Sequence, residues 1–437
     1  MNNWKQQKLG IVADVKLSNV DKLTDENERV VRLCNYTDVY KNSFINLEKS
    51  ESFMLASCNE NEYEKFILKK GQVAITKDSE TPNDIGVSTY ISEDFEDVVL
   101  GYHLALITPD KEKLNGQFLH YWLNTKQAKR YFENNAGGSG QRCTIVLDCI
   151  KSTPLYLPNL SIQEKIAKVL SDLDAKIELN NRINRELEAL AKTLYDYWFV
   201  QFDFPNEQGI PYKSSGGKMV YNIELKREIP EGWEFRKIGV VATIKAGGDK
   251  PENFTIEKTM HNKIPIYSNG ISNDGLYGYT DKAIINNQSV TISARGTIGF
   301  CVLRNKPYVP IIRLISLIPK LEGSAKFFYE TLKHFIFENS GSVQQQLTVP
   351  QVQNIKIIYP SEYVLKEFDK ITSPMIDSIE ILKEENQQLS ELRDWLLPML
   401  MNGQVTVQQV HGKAVKEVEE KVNLNMAAEA MQNYGTK

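Results

Sequence analysis

The sequence predicts an α+β chain built as a tandem repeat, a globular domain followed by a long helix, twice over. The first observation behind this is a heptad run in which Ile166, Leu170, Leu173, Ile177, Asn180, Asn184, Leu187, Ala191, Leu194 and Trp198 succeed one another at alternating steps of four and three. Such steps keep one stripe of a helix turned toward a partner helix. The second is that an offset of 202 residues reproduces the stripe as Phe368, Thr372, Met375, Ile379, Leu382, Asn386, Leu389, Arg393, Leu396 and Leu400. The third is a shared opening of the globular segments, Trp4, Lys8, Leu9 and Gly10 in one and Trp233, Lys237, Ile238 and Gly239 in the other, at identical spacing.

Each helix is entered the same way, with Pro158 before the first and Pro360 before the second, each followed by a short polar stretch suited to a helix start. Asn180, Asn184 and Asn386 put a polar layer into the stripes; this costs stability and penalises wrong registers. Pro374 inside the second run is expected to kink its first turns or delay its start. The globular segments carry short apolar and β-branched stretches broken by Gly, Asn and Asp, such as Val73 to Lys77 and Ser289 to Ile292, which read as strands and turns. Late in each segment a helix is expected, Phe118 to Glu133 and Phe327 to Glu338, leading to Gly138-Ser139-Gly140-Gln141 and Gly341-Ser342-Val343-Gln344. The expected boundaries are a first domain 1–157, a helix 158–200, a linker 201–232, a second domain 233–357, a helix 358–404 and a tail 405–437 with a helix near Ala414 to Val422. In the linker Tyr197, Trp198, Phe199, Phe202 and Phe204 lead into a Gly/Pro stretch, and the cluster is expected to dock on a domain or a partner.

The composition, 41% apolar and 25% charged over 437 residues, is that of a globular chain of two or three domains. No apolar run is long enough to span a bilayer and Met1 to Gln7 is too polar for a signal peptide, so a cytoplasmic protein is expected. Five cysteines without a CxxC pair indicate neither a disulfide framework nor a zinc site. The net charge of −4 hides an asymmetry: residues 233–357 come to about +6 and residues 1–157 to about −3. The second segment is the better electrostatic partner for phosphates.

Catalytic motifs are missing. Ser215-Gly216-Gly217-Lys218 lacks the spacing of a phosphate loop, no GxGxxG follows a strand, and nothing matches the Asn/Asp-Pro-Pro-aromatic loop of amino-methyltransferases. The histidines are scattered without ligand spacing. A binder or scaffold is therefore expected. Tyr267 to Thr280 interleaves aromatics, amides and glycines, and Ala294-Arg295-Gly296-Thr297-Ile298-Gly299 adds a guanidinium on a tight turn. Arg, Asn and Gln are the side chains that read purine edges, although Gly/Asn/Tyr turns are common in any β-rich domain.

The paired openings, the Gly-Ser-x-Gln closings and the two offset coils, with Leu194 to Pro205, Ile229-Pro230-Glu231-Gly232-Trp233 and Ala294 to Gly299, resemble the specificity subunit of a Type I restriction-modification system, over residues 1 to about 405. The resemblance implies two target-recognition domains separated by two long antiparallel coiled-coil helices with pseudo-two-fold symmetry. It implies a non-catalytic reader of a bipartite site in double-stranded DNA, with the coils as ruler and as docking sites for two methyltransferase subunits. S-adenosylmethionine, ATP and Mg would belong to those partners and to motor-nuclease subunits. The DNA-contacting residues expected are Lys77, Gln141 and Arg142 in the first half, and Lys245, Tyr267, Asn269, Asn273, Arg295, Thr297 and Gln344 in the second. The first half lacks a clear copy of the Arg295 loop. A coiled-coil scaffold whose domains bind protein or carbohydrate shares the repeat, and differs in having no salt-dependent DNA affinity.

Overall fold

The heptad stripe is the packed face of each long helix. In the computed structural model, which describes residues 4–138, 142–337 and 346–404, the first helix runs Leu160–Tyr195 and the second Glu362–Met401. Every stripe residue of both is buried or half-buried, while Lys165, Lys168 and Arg182 on the opposite face are exposed. At 1.5 Å per residue each rod is on the order of 55–60 Å long. The first continues into a turn of π-helix, Asp196–Val200, and the adjacent Trp198 and Phe199 are both buried.

The chain forms two compact units, one from Met1–Leu179 with Glu385–Lys437 and one from Asn180–Glu384, so each long helix contributes to both. In the first unit a five-stranded sheet has the order Ala13–Leu17, Leu104–Pro109, Val73–Thr76, Ser88–Ile91, Phe44–Ile45. Val73–Thr76 is buried throughout, as befits a central strand of continuous apolar character. A smaller sheet pairs Arg29–Cys34 with Met54–Cys58 and, in parallel, with Val98–Leu100. Lys5–Lys8 pairs with Pro154–Leu157, which delivers the chain into the first long helix. The core joins Val15, Ile75, Phe118 and Trp122 to Ile166 and Leu170 of the first helix and Leu396 and Leu400 of the second. Within this unit the two helices run antiparallel, with Asp174 against Arg393 at 2.7 Å and Lys176 against Glu385 at 3.4 Å. The arginine that interrupts the second stripe is thereby accounted for.

The second unit repeats the plan. Its main sheet has the order Ala242–Ala246, Ile315–Pro319, Ser289–Ile292, Cys301–Arg304, and Glu234–Lys237 pairs with Lys356–Tyr359 ahead of the second long helix. Ile264–Tyr267 pairs with Leu276–Thr280 and, in parallel, with Val309–Pro310. The aromatic cluster docks within its own unit. Phe199 lies edge-on to Phe327 and Phe368, each at 4.9 Å between ring centres, and Phe204 stacks on Trp233 at 5.0 Å. The segment between the repeats is ordered, closing with a hairpin of Met219–Asn222 and Arg227–Pro230.

Three sequence expectations change. Pro374 does not delay the start of the second helix, which is continuous from Glu362; Pro374 and Lys370 are both exposed, so water can satisfy the carbonyl that loses its amide partner. The helix expected over Phe118 to Glu133 is two, Gly116–Leu123 and Lys126–Asn135, because Thr125 caps a new start by accepting from the Ala128 amide at 3.2 Å. The helix expected over Phe327 to Glu338 is Ala325–Lys333. Gln141, Gln344 and the tail from 405 lie outside the described residues.

His120, on Gly116–Leu123, is almost wholly buried with Nδ1 at 3.1 Å from the Ser88 hydroxyl, and burial pulls its ionisation down to about 4. An unfolded histidine protonates near 6.5, so lowering the pH from there toward 4 favours the unfolded chain. Stability measured by denaturant titration is expected to fall over that window by up to about 1.4 kcal/mol per pH unit, and His120→Gln to flatten that slope.

Candidate nucleic-acid interface

Strand register makes the two units comparable residue by residue. Pro109 pairs with Ala13 and Ala105 with Leu17 in the first; Pro319 pairs with Ala242 and Ile315 with Ala246 in the second. Lys16 therefore stands where Lys245 stands, and both are exposed. Val73 opposes Ile107 as Val290 opposes Leu317. Counting on, Lys77 corresponds to Ala294 and Asp78 to Arg295. Counting back from Leu104–Pro109 and Ile315–Pro319, His103 corresponds to Arg313. The strand after the loop agrees, since the Ile145 amide donates to the Lys77 carbonyl at 2.8 Å and the Leu347 amide to the Ala294 carbonyl at 2.9 Å, which matches Thr144 to Gln346.

These positions form the loop end of each main sheet. In the second unit Asn269 ties the end together: its Oδ1 accepts from the Ala294 amide at 2.7 Å and its Nδ2 donates to the Ile312 carbonyl at 2.6 Å. The Arg313 amide donates to the Gly247 carbonyl at 3.2 Å, which brings in the chain just after Lys245. Arg295 is exposed and donates from Nε and Nη2 to the Gln346 side chain at 3.2 and 2.9 Å. Lys245, Arg295, Thr297 and Arg313 are all exposed on these segments, and Asn273 lies exposed in a left-handed turn at φ 49°.

Two expected contacts turn out to be occupied in holding the fold. Each polar atom of the Asn269 side chain is bonded to backbone, so the side chain positions the loops. Tyr267 is half-buried under the Arg304 guanidinium, 3.5 Å from its ring centre, and burial pushes its hydroxyl ionisation up. Arg304 in turn donates to the Thr291 hydroxyl at 3.0 Å and the Asp274 carbonyl at 2.5 Å, bracing the turn that carries Asn273.

In the first unit the same end has different chemistry. Asp78 receives the Lys77 ammonium at 2.9 Å, His103 Nδ1 at 2.5 Å and the Thr144 hydroxyl. Burial alone would raise the Asp78 ionisation, but the bonds from Thr144, Lys77 and His103 outweigh it and hold the carboxyl below the usual range. Lys77 is thus tied to a carboxylate, and Arg142 is exposed nearby on the segment leading to Thr144. The first unit's counterpart of the Arg295 loop is Lys77 to Gly86, following the strand that ends Ala74-Ile75-Thr76. Gly86 and Gly299 have φ of 79° and 84°, and each approaches an aromatic, Phe132 or Phe337, so closely that a Cβ would collide with the ring.

A family model described as the Type I restriction modification DNA specificity domain matches residues 1–189 and 230–391. The chain belongs to that family. Among curated members, it is 25% identical to the Type I restriction enzyme HindI specificity subunit of Haemophilus influenzae, over 93% of this chain and all of that one. It is 30% identical to a putative type I specificity subunit of Mycoplasma pneumoniae, over 67% of this chain and 82% of that one. The fold is also that of the crystal structure of a Type I restriction-modification S subunit from M. genitalium, at a TM-score of 0.59 and 18% identity, covering 92% of this chain and 97% of that one.

For this member of the specificity family, sequence reading missed Lys16, Asp78, His103, Arg313 and Gln346. Lys16 was within reach, because it lies twelve residues after Trp4 as Lys245 does after Trp233. The others needed the sheet register. Asn269→Ala is expected to leave the Ala294 amide and Ile312 carbonyl without their partner and to destabilise the second unit by about 1–3 kcal/mol in denaturant titrations. Because the folded Asp78 ionisation is depressed, its contribution is present above the unfolded carboxylate value near 4 and is lost as pH falls through the folded value. Asp78→Asn is expected to remove that part of the acid-side loss of stability.

Proposed function

We propose that this chain is the non-catalytic DNA-reading subunit of a Type I restriction-modification complex, with each unit reading one half of a bipartite, asymmetric site in double-stranded DNA. The observation that carries this reading is the equivalent loop end on both units of a chain in the DNA specificity family, bearing exposed Lys16 and Arg142 in one and Lys245, Arg295 and Arg313 in the other. Cations beside polar and glycine-rich loops suit phosphate positioning combined with contacts to base edges. The halves differ at nearly every corresponding position, which supports different half-sites.

The long helices set the spacing between half-sites, and their exposed faces with the adjoining surfaces dock two methyltransferase subunits. Those subunits bind S-adenosylmethionine and methylate adenine; motor-nuclease subunits use ATP and Mg for translocation and cleavage. The buried Asn180 and Asn184 and the half-buried Asn386 hold the helices in register, at the cost of burying polar groups in an otherwise apolar stripe.

Co-expression with a methyltransferase subunit, followed by mapping of methylated adenines at single-base resolution, tests the reading. A split motif with a constant spacer is expected; a soluble complex that methylates nothing new would sink it. Insertions or deletions of heptad fragments in matched positions of both helices are expected to change the spacer length while leaving both half-sites intact.

A further inference from the structure

We propose that His103 and Arg313, the corresponding residues at the loop ends of the two units, are specificity-determining residues that read opposite hydrogen-bond polarity. This rests on the DNA-reading function proposed above. The two residues sit just before Leu104–Pro109 and Ile315–Pro319, an interior strand of each sheet, in the left-handed region at φ of 68° and 65°, and Ile312 beside Arg313 is at 52°. Non-glycine residues, β-branched ones above all, are disfavoured there by about 1 kcal/mol or more. Glycine would serve the turn at lower cost, so the side chains kept at these two positions point to a use beyond the turn.

What each offers differs. The Arg313 guanidinium is exposed and makes no hydrogen bond or ion pair with any described residue, leaving a fork of donors matched to the O6 and N7 acceptors of guanine. His103 is tied through Nδ1 to Asp78 at 2.5 Å. In the neutral ring that bond places the proton on Nδ1 and leaves Nε2 as an acceptor, and among the described residues Nε2 has no partner. An acceptor at that point suits an exocyclic amino group, N6 of adenine or N4 of cytosine. At the position corresponding to Asp78, whose carboxylate orients the histidine in one unit, the other unit has Arg295, a cation.

The test is the methylation map of the full chain in complex with its methyltransferase subunit, for the wild type, His103→Gly and Arg313→Gly. Glycine relieves the left-handed backbone, and the untouched half-site reports within the same measurement whether the fold is retained. Arg313→Gly is expected to relax one guanine position of one half-site by about five- to a hundredfold. His103→Gly is expected to relax one adenine or cytosine position of the other half-site by about two- to tenfold. Wild-type and variant maps with identical motifs would overturn the inference while leaving the DNA-reading function intact. Absence of any sequence-dependent methylation by the wild type would overturn both. Relaxation of both half-sites by one variant would also overturn it, since that is the signature of a general loss of stability.

Discussion

The stripe of apolar residues along the two long helices is the contact on which everything else in this chain depends. Neither globular sheet closes its core alone. In the first unit the sheet and its helices leave a face that Ile166 and Leu170 from one helix and Leu396 and Leu400 from the other complete. In the second the corresponding face is covered by Trp198, Phe199 and Phe368. Burial of each such side chain is worth about 1.5–3 kcal/mol, so loss of the helix pairing would strip both units of a large part of their stabilisation. Polar departures from the stripe are individually answered: Arg393 is neutralised by Asp174, which also accepts from the Tyr121 hydroxyl at 2.5 Å.

From those cores the sheets carry the loop ends. The main sheet of each unit is the rigid part, with Val73–Thr76 and Ser289–Ile292 buried along their whole length. The loops beyond them are held by side chains rather than by further strands. Asn269 does this in the second unit and Asp78 in the first, and the two solutions differ in charge. A neutral amide leaves Arg295 and Arg313 exposed as cations, whereas a buried carboxylate absorbs Lys77 and His103. The two segments also differ in total charge, about +6 against about −3, and local sign governs how a surface meets a polyanion.

Much of this was legible in the residues. The helix stripes, the repeat, the aromatic exit and the strands Val73 to Lys77 and Ser289 to Ile292 all follow from periodicity and turn chemistry, because burial on one face imposes a spacing that the residues must obey. Correspondence between the loops was not legible. The offset between the repeats is 229 residues at Trp4 and Trp233, 217 at Asp78 and Arg295, 210 at His103 and Arg313, and 202 at Thr144 and Gln346. Each change falls between corresponding strands, where the two units have segments of unequal length that leave no periodic trace.

The sequence by itself determined the architecture, the family and the broad location of the polar loops. Only the tertiary structure decided which polar residues are free. Tyr267 and Asn269 have the composition of base readers, yet one stacks beneath Arg304 and the other spends both its polar atoms on backbone. His103 and Arg313 carry no motif at all, and become notable only when antiparallel register sets them at one position. Hydrogen bonds between residues far apart in the chain decide whether a side chain holds the fold or faces outward, and such pairings have no period for a sequence to display.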